Sequence, residues 1–402
     1  MRLTKEEQAM LDGAGGSAPA KAMEILLALG TIYEAERMAP VTSVQIAGVS
    51  YDNLGESGLK FLTEMVQGGG TARVLTTLNP AGMDIHNWRQ LGIDADFAAK
   101  QERVIQAFAD MGVVTTCTCT PYLAGNLPHF GEHIAWAESS AVCYANSVIG
   151  ARTNREGGPS ALAASLTSRT ALYGMHLDHN RAPTLTVNVE VKTTGSHHFG
   201  ALGKVIGEKI EKSEGKLVPY IMGIKNATLE ELKSLCASIG TYGGVALFHM
   251  PGITPEAGQY VPPQDSVHIN QAELEAAVQS MNDADADEID FLSLGCPHLS
   301  IKEIARIAEL LAGKQVQREF WITTSRPTKQ IADMMGYAGI IEESGAKFAV
   351  DTCCVVAPIK GRFNALATDS AKACFYAYAK NNFKTRFLPF DEVVSEALRE
   401  EK

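Results

Sequence analysis

The sequence has no Cys-x-x-Cys pair, no glycine-rich run ending in Gly-Lys-Ser or Gly-Lys-Thr, and no His-Glu-x-x-His. The first absence weakens structural zinc and removes thioredoxin-type chemistry; the second removes the phosphate loop, the third the zinc-protease helix. Glycine clusters at 67–70 and 240–244 also miss the dinucleotide fingerprint and read as turns. No apolar run approaches the roughly 20 residues that span a bilayer. Met1-Arg2-Leu3-Thr4-Lys5-Glu6-Glu7 lacks the apolar segment of a secretion signal. Basic residues are outnumbered, 35 Lys and Arg against 46 Asp and Glu for a formal charge of -11, which disfavours nucleic acid and anionic membrane as partners. A cytoplasmic protein is expected.

What is present is the composition of an ordinary folded chain, 402 residues long with 46% hydrophobic and 20% charged residues. That length predicts two or three subdomains. Thr4 and Glu7 have capping-box spacing, and apolar residues recur at helical spacing from 20 to 36. Strands are expected at 42–49, 73–78, 113–119, 184–191, 218–224, 245–249, 289–294, 320–323 and 347–350. Helices are expected at 97–111, 228–238, 271–282, 301–313 and 328–337. The alternation predicts an α/β fold of packed subdomains with mainly parallel sheets, boundaries falling near 192–200 and 320–330. The Gly-, Pro-, Ser- and Thr-rich stretches 192–198 and 251–268 read as loops.

Open α/β sheets bind ligands beyond the carboxyl ends of their strands. Cys119 ends an expected strand there, and Cys296 and Cys353 each follow one. Eight cysteines in so long a chain are too sparse for a disulfide scaffold, so they are thiols or metal ligands. Three converging thiolates would hold an iron-sulfur cluster with one iron open to substrate. Three unrelated core thiols, and zinc held by Cys117-Thr118-Cys119 with Cys296-Pro297-His298, stand beside that reading. The polar stretch from Ser139 through Ser160 carries Ser140, Asn146, Arg152, Asn154 and Arg155 between apolar flanks. It suits a carboxylate or phosphate pocket as well as a solvated turn. Thr368-Asp369-Ser370-Ala371-Lys372 fits a helix start or an anion contact.

Longer runs add a resemblance. Thr76-Thr77-Leu78-Asn79-Pro80-Ala81-Gly82, Thr116-Cys117-Thr118-Cys119-Thr120-Pro121-Tyr122, residues 131–142 and residues 150–158 resemble the aconitase X family. Gly295-Cys296-Pro297-His298 and Asp351-Thr352-Cys353 continue the match over nearly the whole chain. The resemblance implies an aconitase-like core and an iron cofactor held by Cys119, Cys296 and Cys353, with Cys117 and Cys354 as substitutes. A four-iron four-sulfur cluster is expected, with two-iron or mononuclear iron as alternatives. It also implies a separate small swivelling subunit supplying a catalytic serine, because the chain ends at Lys402 without room for that domain.

The expected chemistry is removal of water from a small hydroxy acid, with Arg152, Ser370 and Lys372 in catalytic roles. Asn79, Ser139, Ser140, Asn146, Asn154, Arg155 and Arg326 are expected to bind substrate. Two substrates fit a two-subunit member: (R)-5-phosphomevalonate, dehydrated to trans-anhydromevalonate 5-phosphate in the mevalonate route to isoprenoids, and cis-3-hydroxy-L-proline. The cations Arg152, Arg155, Arg326 and Lys372 favour the phosphate. A noncatalytic iron-binding scaffold is the reading from another class.

Overall fold

The computed structural model describes residues 1–211 and 218–400. Its strands, in chain order, are β1 (Met38–Pro40), β2 (Ser43–Ile46), β3 (Leu75–Leu78), β4 (Ala135–Trp136), β5 (Arg169–Ala171), β6 (Leu185–Val189) and β7 (Pro219–Met222). They continue as β8 (Ser266–Ile269), β9 (Phe291–Leu294), β10 (Glu319–Thr324), β11 (Lys347–Val350), β12 (Ala365–Thr368) and β13 (Lys384–Phe387). Three parallel sheets result, ordered β3-β2-β4, β7-β6-β8 and β11-β10-β9-β12-β13; β1 pairs antiparallel with β5. The fold is α/β with parallel sheets, as the alternation predicts.

Strands such as Phe291–Leu294 are buried at every position because helices cover both faces of the sheet. The helix Ile301–Leu311 turns Ile304, Ile307, Ala308 and Leu311 to that core, spaced three and four apart. Ser300 caps it, accepting from the Glu303 amide while the Glu303 carboxylate returns to the Ser300 amide. Each buried aliphatic there contributes roughly 1.5–3 kcal/mol.

Two expected strands run alongside a sheet without joining it. In 113–119, Val114 donates to the Thr76 carbonyl and Thr118 to the Leu78 carbonyl, but the Thr118 carbonyl is taken by Gln45 Nε2 at 2.9 Å. Side chains there occupy groups a ladder would use. Residues 245–249 likewise make only a bridge, His249 to Tyr220. The stretch 192–198, read as loop, instead enters the helix Gly195–Glu211. That helix is stabilised by close packing on the helix Leu229–Tyr242: a Cβ on Gly203 would lie 2.9 Å from the Ile239 amide nitrogen. The sheets change over between 171 and 185 and between 269 and 291. Residues 192–200 therefore lie inside the second unit, and 320–330 within the third, in β10 and the helix Arg326–Met334.

His197 lies 9% exposed in the Gly195–Glu211 helix, stacked on Phe387 of β13 at 4.2 Å between centroids. Burial, then the neighbouring His198, lowers its pKa to about 4 from 6.5. The folded imidazole stays neutral while the unfolded one gains a proton, so this stabilisation is complete above pH 6.5 and lost as pH falls toward 4. Replacing it, His197→Phe, should flatten the fall of Tm across that window in thermal melts; a slope equal to wild type would refute the assignment.

Candidate active site

The third sheet places β9 at its centre, with β10 and β11 following to one side and β12 and β13 to the other. Strand order reverses between β9 and β12, the switch point where parallel sheets open a crevice at their carboxyl ends. Cys296 follows β9, and Ser370 and Lys372 follow β12. Cys353 follows β11. Across the crevice, the first sheet contributes Asn79 after β3 and Glu138 after β4.

Glu138 and Lys372 form a buried ion pair that joins these two sheet edges. Glu138 also accepts from Asn79 Nδ2 at 2.9 Å, from Ser140 Oγ at 3.0 Å and from Ser139 Oγ at 3.4 Å. Burial alone would raise its pKa, but the Lys372 charge and these donors outweigh it and hold the carboxyl at about 2. Burial would likewise lower Lys372, and the Glu138 charge instead raises it well above the ordinary lysine range. The pair is therefore fully ionised at neutral pH. Glu138 was not singled out from sequence; its signal was a lone carboxylate between Trp136-Ala137 and Ser139-Ser140-Ala141 at a helix start.

The three cysteines lie near one another here. Cys119 lies within electrostatic reach of Cys353 and Cys296, and Cys296 of Cys353. Cys119 and Cys353 are buried, while Cys296 is half-buried. Burial pushes all three thiols upward, Cys296 to about 12. Amides oppose it: His298 N donates to Cys119 Sγ at 3.2 Å, and the Val355 and Val356 amides to Cys353. The Ser370 hydroxyl touches Cys296 while accepting from the Ala373 amide at 3.1 Å as a helix cap. Gly295 sits at φ 110°, and any Cβ there would run into the Thr323 main chain, so only glycine lets β9 deliver Cys296 at this angle.

All eight cysteines are unbridged. Cys117 is buried in the hydrophobic core of the first sheet, within electrostatic reach of Asp351 and Arg326. Cys354, packed among apolar side chains, is within electrostatic reach of Cys353 and Cys296 as well as Ser293. The His298 ring nitrogens are both engaged, Nδ1 with Thr118 Oγ1 at 3.0 Å and Nε2 with the Thr352 carbonyl at 2.9 Å. That occupancy speaks against the four-ligand zinc arrangement. Among the described residues no group of three His, Cys, Asp or Glu is arranged around a single ion. Three soft thiols, two of them with amide donors to sulfur and the third with the Ser370 hydroxyl, and unpartnered buried Asn79 Oδ1 and Thr352 Oγ1 suit a larger thiolate-held group.

Other sequence candidates are placed elsewhere. Arg152 bridges to His133 at the entry of β4, whereas Glu138 is at its exit, about 16 Å along the chain. There it pairs with Asp178 and, at 3.7 Å, with Glu256. Asn146 is a fully buried strut donating to the Thr153 and Ala246 carbonyls at 2.9 and 3.0 Å. Asn154 ties Tyr173 O and Met175 N, at 3.0 and 2.9 Å. Arg326 clamps Asp351 and Asp84, the latter at 3.0 Å, beneath the Cys353 loop. Arg155 is exposed.

Family models describe the chain end to end: the aconitase X first domain matches residues 1–179, the second 183–279 and the third 289–399. The chain belongs to the aconitase X family. The phosphomevalonate dehydratase large subunit of Thermococcus kodakarensis is 44% identical over 99% of this chain and 100% of that protein. Its namesake from Methanothermobacter thermautotrophicus is 45% identical over 93% of each. The cis-3-hydroxy-L-proline dehydratase of Hypocrea jecorina is 32% identical over 94% of this chain and 65% of that protein. The crystal structure of Thermococcus kodakaraensis aconitase X in its holo form superposes with a TM-score of 0.92, at 44% identity, covering 99% of this chain and 100% of that one. Membership in this family makes the protein a hydro-lyase. No helix among the described residues is long and apolar enough to cross a membrane.

Lys372→Met leaves the Glu138 carboxylate buried without its cation and should lower stability by roughly 3–5 kcal/mol. The double variant Lys372→Met/Glu138→Gln should recover most of that loss in denaturant unfolding. Additive losses would show that the two groups do not act as a pair.

Proposed function

We propose that the chain is the large subunit of an iron-sulfur hydro-lyase that dehydrates (R)-5-phosphomevalonate to trans-anhydromevalonate 5-phosphate. What supports it is the nearness of Cys119, Cys296 and Cys353 to one another and to the ionised Glu138–Lys372 pair. The curated relatives at 44–45% identity share that substrate's name, against 32% for the hydroxyproline enzymes. The three thiols would hold the cluster, which when bound supplies Lewis-acid polarisation of the leaving hydroxyl through an open iron. The nuclearity we favour is four iron and four sulfur.

Lys372, protonated at neutral pH, would stabilise negative charge developing on the substrate carboxylate. Ser139, Ser140 and Asn79 donate to Glu138 and orient it. Ser370 lies against Cys296 at the mouth and is offered as a substrate contact. Neither half of the ion pair can take a proton: the carboxylate is too weak a base at about 2, and the ammonium has no lone pair. A base from outside this group is required, which supports a separate small subunit contributing a serine. Of the cations first considered for the phosphate, Arg326 and Arg152 are committed to carboxylates. Lys372 is likewise paired with Glu138, so in this reading the phosphate contact falls to the exposed Arg155.

Co-expression with the small subunit under anaerobic conditions, then assay of both substrates, tests it. Water should be lost from (R)-5-phosphomevalonate and not from cis-3-hydroxy-L-proline; the reverse preference would overturn the substrate. Cys353→Ser should remove most of the iron and the activity together, whereas Cys117→Ser should retain both. Retention of full iron by Cys353→Ser would exclude the proposed ligand set.

A further inference from the structure

His298 is fully buried, and all of its polar groups are engaged, reaching three other segments of the chain. Its Nε2 faces the Thr352 carbonyl at 2.9 Å. A carbonyl only accepts, so Nε2 carries the ring proton. Nδ1 is then the acceptor, and Thr118 Oγ1 donates to it at 3.0 Å. The main-chain amide donates to Cys119 Sγ at 3.2 Å, and the main-chain carbonyl accepts from Lys233 Nζ at 2.8 Å. Thr118 precedes Cys119, Thr352 precedes Cys353, and His298 itself follows Cys296 by two residues. One imidazole thus joins the three cysteine-bearing loops, which are 180 and 54 residues away along the chain.

We propose that His298 is a positioning residue that sets the three thiols in register for the iron cofactor, without touching substrate or metal. The inference rests on the ligand set proposed above and adds to it what holds that set together. The loops come from the carboxyl ends of β9 and β11 and from the 113–119 segment beside β3, so no single sheet fixes their relative placement. A residue that filled space alone would need neither a set tautomer nor a partner on every loop. Hydrogen-bond partners one step out from metal ligands typically change metal affinity by about 10–100-fold when removed.

The test is made on the anaerobic complex of both subunits. It measures iron and acid-labile sulfide per chain, the visible spectrum, and the rate of iron release to a chelator, beside the Tm of the iron-stripped protein. His298→Met, close in volume but without the ring donor, should release iron about 10–100-fold faster. His298→Gln, which keeps a donor toward the Thr352 carbonyl, should recover part of that loss. Thr118→Val, isosteric and deprived only of the hydroxyl, should shift release in the same direction and decides the matter if His298→Met does not fold. Iron release by Thr118→Val and His298→Gln at the wild-type rate overturns the positioning role while the ligand set stands. Equal changes in release and in the Tm of the stripped protein also overturn it, since they mark general packing. A wild-type complex that binds no iron overturns the ligand set, and this inference with it.

Discussion

The buried pairing of Glu138 with Lys372 is the constraint on which the site depends, because it joins the carboxyl edge of the first sheet to that of the third by a charge contact beside the cysteines. Two unlike charges withdrawn from water cost several kcal/mol each unless every remaining donor and acceptor is used. Here Asn79, Ser139 and Ser140 all turn to the carboxylate. Around it the cysteine loops arrive from separate units of the fold. The arrangement keeps a fixed cation beside three thiols in a place largely closed to solvent, where electrostatic effects are strongest.

A second set of contacts holds the same two edges behind the site. Asp84, after β3, accepts from the Val350 amide at 3.1 Å and pairs with Arg326, which also clamps Asp351. The Ala81 amide donates to the Asp351 carbonyl at 2.8 Å. Arg326 therefore serves the site by stiffening the loop that carries Cys353. Arginine suits such a post because its planar fork can satisfy two carboxylates at once. Asn146 and Asn154 do similar work farther away, satisfying carbonyls that would otherwise be buried without partners.

Much of the architecture was legible in the residues. Apolar β-branched runs such as 289–294 and 347–350 became strands, and the Thr4–Glu7 capping pair starts a helix. The segments that misled did so for local reasons. The Thr- and Val-rich 113–119 has strand composition, but Gln45 and His298 occupy its polar groups. The glycine-rich start of the Gly195–Glu211 helix has weak helix propensity, and close packing against a neighbouring helix outweighs it.

Sequence by itself determined the fold class, the family and the residue types at the strand ends, since these follow from periodicity and from long ungapped motifs. It could not say which polar residues of the 139–160 stretch face the crevice. Arg152 and Glu138 are both near β4, yet they lie at opposite ends of it. That Glu138 meets Lys372, 234 residues away, and that one imidazole spans three loops, was decided only by how the sheets pack. The physical reason is that short-range patterns encode local structure, while a buried charge pair is defined by desolvation and distance between segments with no local trace of each other.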